Sequence, residues 1–92
     1  MKLEMLYKII VKRKKELPEN SYTTSLFKEG LDRIAQKIGE EVIEVIIAAK
    51  GRSKQRVISE IADLWYHCLV LLAKLNITPQ DIYAELEKRR KK

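Results

Sequence analysis

Two pairs of acids recur at one spacing in this chain: Glu41 with Glu44, and Glu60 with Asp63. On a helix, residues three apart share a face, so each pair aims two carboxylates in one direction. The second pair leads into the run Leu64-Trp65-Tyr66-His67-Cys68-Leu69-Val70-Leu71-Leu72. A carboxylate in such apolar company is costly to bury unless something pairs with it. Four acids facing one gap repel one another, and a hard divalent cation with oxygen ligands relieves that repulsion. Zinc favours His and Cys ligands, and His67 is the only histidine. A di-iron bundle uses Glu-x-x-His on paired helices, whereas here the spacing is Asp63-x-x-x-His67. Mg2+, or Mn2+, fits the carboxylate set best. Magnesium held by few carboxylates completes its shell with water and substrate phosphates. The chemistry indicated is hydrolysis of a phosphate ester or phosphoanhydride.

Plainer readings exist for each group. Glu40-Glu41-x-x-Glu44 can be a solvated helix face, with Lys37 pairing to Glu41 one turn away. Glu60 and Asp63 can form a buried ion pair with Lys37 or Arg56. Asp63 argues against the solvated reading, because Leu64, Trp65, Cys68 and Leu69 surround it in sequence and predict a buried position.

Positioning these acids requires helices. Leu3, Leu6, Tyr7, Ile10 and Val11 follow helical spacing over about residues 2–16. Pro18 ends that helix, and residues 18–24 read as an ordered loop. Thr24 or Ser25 is a candidate cap for a short turn that Gly30 interrupts. A second helix runs from about Leu31 to Lys50, with Ile34, Ile38, Val42, Val45, Ile46 and Ala49 as its apolar stripe. Gly51 stops it and Ser53 caps a third, to about Leu75. Beyond Asp63 this third helix is apolar nearly all round, which predicts burial on several sides. Thr78-Pro79-Gln80-Asp81 opens a fourth: cap threonine, proline, then an acid.

The expected fold is all-α, a four-helix bundle forming one domain over residues 1–92. The short link at Gly51-Arg52-Ser53 makes the second and third helices antiparallel neighbours, so the two acidic pairs lie near the same level. The third helix carries more apolar surface than three short neighbours cover, and a homodimer is the expected remedy.

Ninety-two residues suffice for one small domain, and 46% are hydrophobic. No apolar run reaches the ~20 residues a membrane span needs. No signal-like segment opens the chain, so the cytoplasm is the expected compartment. The lone Cys68 cannot form an intrachain disulfide and reads as a buried thiol. The formal charge of +6 favours anionic ligands. Much of the excess is the terminal run Lys88-Arg89-Arg90-Lys91-Lys92, expected to fray as a solvated end. Nucleic acid is therefore not an expected partner.

The acidic pattern, Glu40-Glu41-x-x-Glu44 followed by Glu60-x-x-Asp63, resembles the signature of the MazG-like all-α nucleoside-triphosphate pyrophosphatases. Further segments narrow the resemblance. They are Arg13-Lys14, Pro18-Glu19-Asn20-Ser21-Tyr22-Thr23, Leu26-Phe27 and Gly30. The run from Arg33 to Lys37 and the Tyr66-His67 that follows the second pair complete them. Over nearly its whole length the chain resembles the phosphoribosyl-ATP pyrophosphatase family, in its stand-alone form. Val45 and Trp65 depart from residues usual in that family, away from the acids.

The resemblance implies Mg2+-dependent hydrolysis of phosphoribosyl-ATP to phosphoribosyl-AMP and pyrophosphate, the second step of histidine biosynthesis. Within it, Glu41, Glu44, Glu60 and Asp63 are the expected metal ligands. Glu40 is placed to orient or deprotonate the attacking water. Lys37 is the expected phosphate contact near the metal, with Arg13 and Lys14 as further phosphate ligands, possible across a dimer. Ser21, Tyr22 and Thr23 offer hydroxyls to ribose or phosphate, and Tyr22 a ring for a base. His67, one turn from Asp63, is expected to orient it. Two other classes remain open. One is a house-cleaning pyrophosphatase of non-canonical triphosphates, which would share the acids but not need the Ser-Tyr-Thr segment. The other is a helical module binding acidic partners through its basic tail.

Overall fold

The computed structural model describes residues 1–90. Five helices follow one another, α1 Leu3–Glu16, α2 Tyr22–Glu29, α3 Leu31–Lys50, α4 Lys54–Lys74 and α5 Pro79–Arg90. No strand occurs among the described residues, and the fold is all-α. Among the described residues no helix is long and apolar enough to cross a membrane.

The helix boundaries follow from local chemistry. α1 ends where Leu17 turns left-handed, with φ 49, and Pro18 forbids continuation. Lys14 in its last turn donates to the Ala73 carbonyl at 2.7 Å and to Asn76 Oδ1 at 3.0 Å. That ammonium satisfies the negative C-terminal end of α4. The α3–α4 turn passes through Arg52 at φ 59. Ser53 then caps α4, its hydroxyl accepting from the Arg56 N–H. At α5, Thr78 and Asp81 form a reciprocal cap, the Thr78 N–H donating to Asp81 Oδ2 at 2.9 Å.

One expectation is corrected here. Residues 22–29 form a full helix, not a loop and a short turn, so the described residues form five helices rather than four. Its cap is Ser21, whose Oγ accepts from the Thr24 N–H at 3.2 Å, not Thr24 or Ser25. Leu26 and Phe27 give α2 a buried face, which sustains a helix too short to stand alone. Gly30 ends α2 at φ 99, a conformation side chains resist, and its carbonyl starts α3 by accepting from Ile34 N–H.

α3 and α4 form a long antiparallel hairpin, the most extensive helix pairing in the molecule. α1 and α2 pack across one end of it. The core lies at that junction, where Ile10, Leu26, Ile34, Leu69, Val70 and Ala73 meet. Burying these side chains contributes roughly 1.5–3 kcal/mol for each large one. Tyr7 anchors the α4–α5 connection by donating to the Ile77 carbonyl at 2.6 Å.

The hairpin outreaches what α1, α2 and α5 cover, in line with the apolar excess read on the expected third helix. Beyond Asp63, α4 buries His67, Leu69, Val70 and Ala73, while Trp65 stays 53% exposed within one chain; Ile58, before Asp63, is exposed as well. Val42 and Ile46 on the expected α3 stripe are exposed too. The basic terminal run does not fray at Lys88–Arg90, which continue α5 and pair with Glu85 and Glu87. Lys91 and Lys92 lie outside the described residues.

Candidate active site

The hairpin brings three of the four predicted acids together. Glu41 on α3 meets Glu60 and Asp63 on α4, with one carboxylate oxygen from each within 4.8 Å of the others. Antiparallel pairing causes this: residues similar distances from the Gly51-Arg52-Ser53 turn come level, and the three-residue spacing turns each acid inward. Glu44 lies on the same depression as Lys37, Glu40 and Glu41, but its carboxylate is not among the converging three. Asp63 is exposed rather than buried as predicted. The apolar residues beside it in sequence lie on other faces of α4, which leaves its carboxylate on the open side of the hairpin.

Three like charges this close repel one another. One ammonium opposes them. Lys37 Nζ lies 3.5 Å from Glu41 Oε1 and shares itself with Glu40 at 3.4 Å. The predicted Lys37–Glu41 pair is thus present, and it leaves Glu60 and Asp63 for another cation. Octahedral magnesium, with bonds of about 2.0–2.1 Å, holds opposite ligand atoms about 4.2 Å apart. The observed spread is close to that, every donor is an oxygen, and one side is open. The residues present therefore fit a hard divalent ion.

Burial opposes the charge on Lys37, yet the neighbouring Tyr22 oxygen and the Glu40 and Glu41 carboxylates outweigh it and hold the ammonium pKa above its usual value. Lys37 stays a cation throughout the physiological range. Glu40 points back along α3, accepting from Gln36 Nε2 at 3.0 Å and facing Arg33 Nη1 at 3.8 Å. It borders the acidic trio through Lys37.

Beneath the trio, α2 is fastened to α4 by two adjacent rungs. Tyr22 Oη bonds His67 Nε2 at 2.8 Å, and the Thr23 hydroxyl bonds that of Tyr66. His67 Nδ1 lies 2.7 Å from the Asp63 carbonyl. A carbonyl only accepts, so Nδ1 carries the proton; in the neutral ring Nε2 accepts from Tyr22. His67 therefore holds Asp63 through its backbone, not its carboxylate. Burial raises the Tyr22 pKa, against the opposing pull of Lys37 and Arg33.

The predicted substrate hydroxyls divide in consequence. Tyr22 remains half-exposed beside Lys37, whereas Thr23 is 1% exposed and committed to Tyr66. Ser21 spends its oxygen as the α2 cap. Lys14 sits at the C-terminal end of α4, about 15 Å along the axis from Asp63 at 1.5 Å per residue. Arg13, beside it in the last turn of α1, is exposed. Within one chain neither is brought to the acids. Sequence reasoning missed Arg33 and Tyr66. Arg33 was detectable by its four-residue step from Lys37, and Tyr66 only through its neighbour His67.

Residues 3–90 match the model of the phosphoribosyl-ATP pyrophosphohydrolase family. A phosphoribosyl-ATP pyrophosphatase of Sulfolobus acidocaldarius is 52% identical, over 98% of this chain and 95% of that protein. One from Geobacter sulfurreducens is 51% identical, over 95% of this chain and 81% of its own length. The histidine biosynthesis bifunctional protein HisIE of Thermotoga maritima is also 51% identical, and the match covers 94% of this chain and 44% of that protein. With both acidic pairs inside the matched span, the chain belongs to the phosphoribosyl-ATP pyrophosphohydrolase family.

Proposed function

We propose that this chain hydrolyses phosphoribosyl-ATP to phosphoribosyl-AMP and pyrophosphate, with Mg2+, as the second step of histidine biosynthesis. The carrying observation is the convergence of Glu41, Glu60 and Asp63 beside Lys37, inside a span that matches this family.

Glu41, Glu60 and Asp63 would hold the ion, with Glu44 one turn from Glu41 as a fourth ligand; Mn2+ suits the same oxygens. When bound, the ion supplies neutralisation of charge on the phosphate chain. Water adds at phosphorus while the anhydride link between the α and β phosphates breaks, and pyrophosphate leaves. Glu40 orients that water or takes its proton. Lys37 contacts the departing phosphates, and Tyr22 offers a hydroxyl and a ring edge next to them. His67 keeps Asp63 in place from behind.

The working form in this reading is a cytoplasmic homodimer. Exposed Ile43, Ile47, Ile58 and Trp65 support it, as does an apolar groove of about 560 Å³ that includes Trp65, Ile82 and Leu86. Exposed apolar area on this scale favours a partner surface. Arg13 could then serve a partner's site.

The test is pyrophosphate release from phosphoribosyl-ATP by the purified chain, with Mg2+ and with excess chelator. Release that needs Mg2+ is expected. Folded, Mg2+-supplied protein that releases none contradicts the reading, and cleavage of non-canonical triphosphates in its place would indicate a house-cleaning enzyme.

A further inference from the structure

Arg33, Lys37 and Glu41 recur every four residues on α3 and stack on one face. Contacts join them without a break. Arg33 Nη1 lies 3.8 Å from Glu40 Oε2, and Lys37 lies 3.4 Å from the other oxygen of Glu40 and 3.5 Å from Glu41. Glu41 in turn belongs to the acidic trio. Two cations therefore extend from one end of the trio towards the start of α3, and Glu40 holds both in line. The Gln36 amide fixes Glu40 in that position.

Arg33 is not fully used by these contacts. Its other partner, Glu29, is 3.9 Å away. Both distances exceed the ~2.7–2.9 Å of a charge-assisted hydrogen bond. Its side chain is 36% exposed, and exposed pairs this long add little to stability. The planar fork of five donors remains free to meet a phosphate with two parallel bonds. At 1.5 Å per residue, Arg33 starts about 6 Å beyond Lys37 and about 12 Å beyond Glu41 along the axis. A triphosphate with its scissile link at the acids and its chain laid along the two cations would have its far end there.

Resting on the pyrophosphatase reading, we infer that Arg33 grips the terminal phosphate of the substrate's triphosphate and, with Lys37, retains the pyrophosphate product. Besides its place at the attacking water, Glu40 keeps both cations on this line. The arm reads the far end of the triphosphate and leaves the phosphoribosyl end to other residues.

The test is calorimetric titration of inorganic pyrophosphate into the Mg2+-supplied protein, for wild type, Arg33→Ala and Arg33→Lys. Product inhibition by pyrophosphate and by phosphoribosyl-AMP is measured beside it. Arg33→Ala is expected to weaken pyrophosphate binding by about tenfold or more, with Arg33→Lys intermediate because it keeps the charge but loses the fork. Inhibition by phosphoribosyl-AMP stays at the wild-type level. Pyrophosphate affinity within about twofold of wild type in the folded Arg33→Ala protein overturns the inference. So does an absence of wild-type binding at millimolar pyrophosphate. Weakened phosphoribosyl-AMP inhibition alone also overturns it, since the guanidinium would then serve the other end. A wild type that binds pyrophosphate through Arg33 but releases none from phosphoribosyl-ATP sinks the substrate assignment and leaves the anion arm standing.

Discussion

The imidazole of His67 joins the Tyr22 hydroxyl to the backbone carbonyl of Asp63, with bonds of 2.8 and 2.7 Å on its two nitrogens. One buried ring thus couples the start of α2 to the turn of α4 that carries an acid. His67→Ala is expected to lower Mg2+ affinity or activity by about 10–100-fold, the usual cost of losing a residue that orients a metal site. Tyr22→Phe keeps the ring and removes one bond, so its effect should be smaller. The Mg2+ concentration for half-maximal activity checks this; an unchanged value in His67→Ala would show that Asp63 needs no support.

The second rung predicts non-additivity. Thr23→Val leaves the Tyr66 hydroxyl without its partner in a part-buried site, at a cost of about 1–3 kcal/mol. Tyr66→Phe alone should cost a similar amount. Removing both hydroxyls should cost clearly less than the two single changes together. Urea midpoints of the three variants decide the matter, and simple additivity would mean that the hydroxyls do not interact.

Lys14 ties α1 to the end of α4 through Ala73 and Asn76. Lys14→Met keeps the stem and loses the ammonium. Its expected effect is a stability loss of about 1–2 kcal/mol, from a charged hydrogen bond and a favourable helix-end charge. Thermal unfolding measures it; a melting temperature equal to wild type contradicts the capping role.

Alkaline pH should loosen the site. The folded-state pKa of Tyr22 is raised above 10.0, chiefly by burial. That of Lys37 is raised above 10.5, where Tyr22, Glu40 and Glu41 overcome burial. Both groups keep their protons to higher pH when folded than when unfolded. Their contribution is complete below the unfolded pKa values and is lost as pH rises through the folded ones. The melting temperature should fall from about pH 9.5 to about pH 11, and Tyr22→Phe should flatten part of that fall. An identical slope in the variant would remove Tyr22 from the explanation.

Much of this was legible in the sequence because the signals were local. Proline at 18, Ser53, and the Thr78-to-Asp81 cap each mark a boundary with its own chemistry. The matched spacing of Glu41 with Glu44 and Glu60 with Asp63 placed the acids on facing helices. α2 was misread because its eight residues carry too short an apolar pattern; its stability comes from contacts with α1 and α3 made in three dimensions. Asp63 was misplaced for a related reason. Apolar neighbours in sequence predicted burial, but on a helix they occupy other faces. Roles for Lys14 and Thr23 depended on partners 59 and 43 residues away, which no local pattern reveals.

The most direct test of the carboxylate centre is pyrophosphate release from phosphoribosyl-ATP by wild type, Glu41→Gln and Asp63→Asn across a Mg2+ titration. Each change removes one charge and keeps the shape of the side chain. Release that needs Mg2+, with both variants shifted to much higher Mg2+ or inactive while still folded, is the predicted result. Wild-type Mg2+ dependence in either variant would contradict the trio of Glu41, Glu60 and Asp63 as the site of the ion.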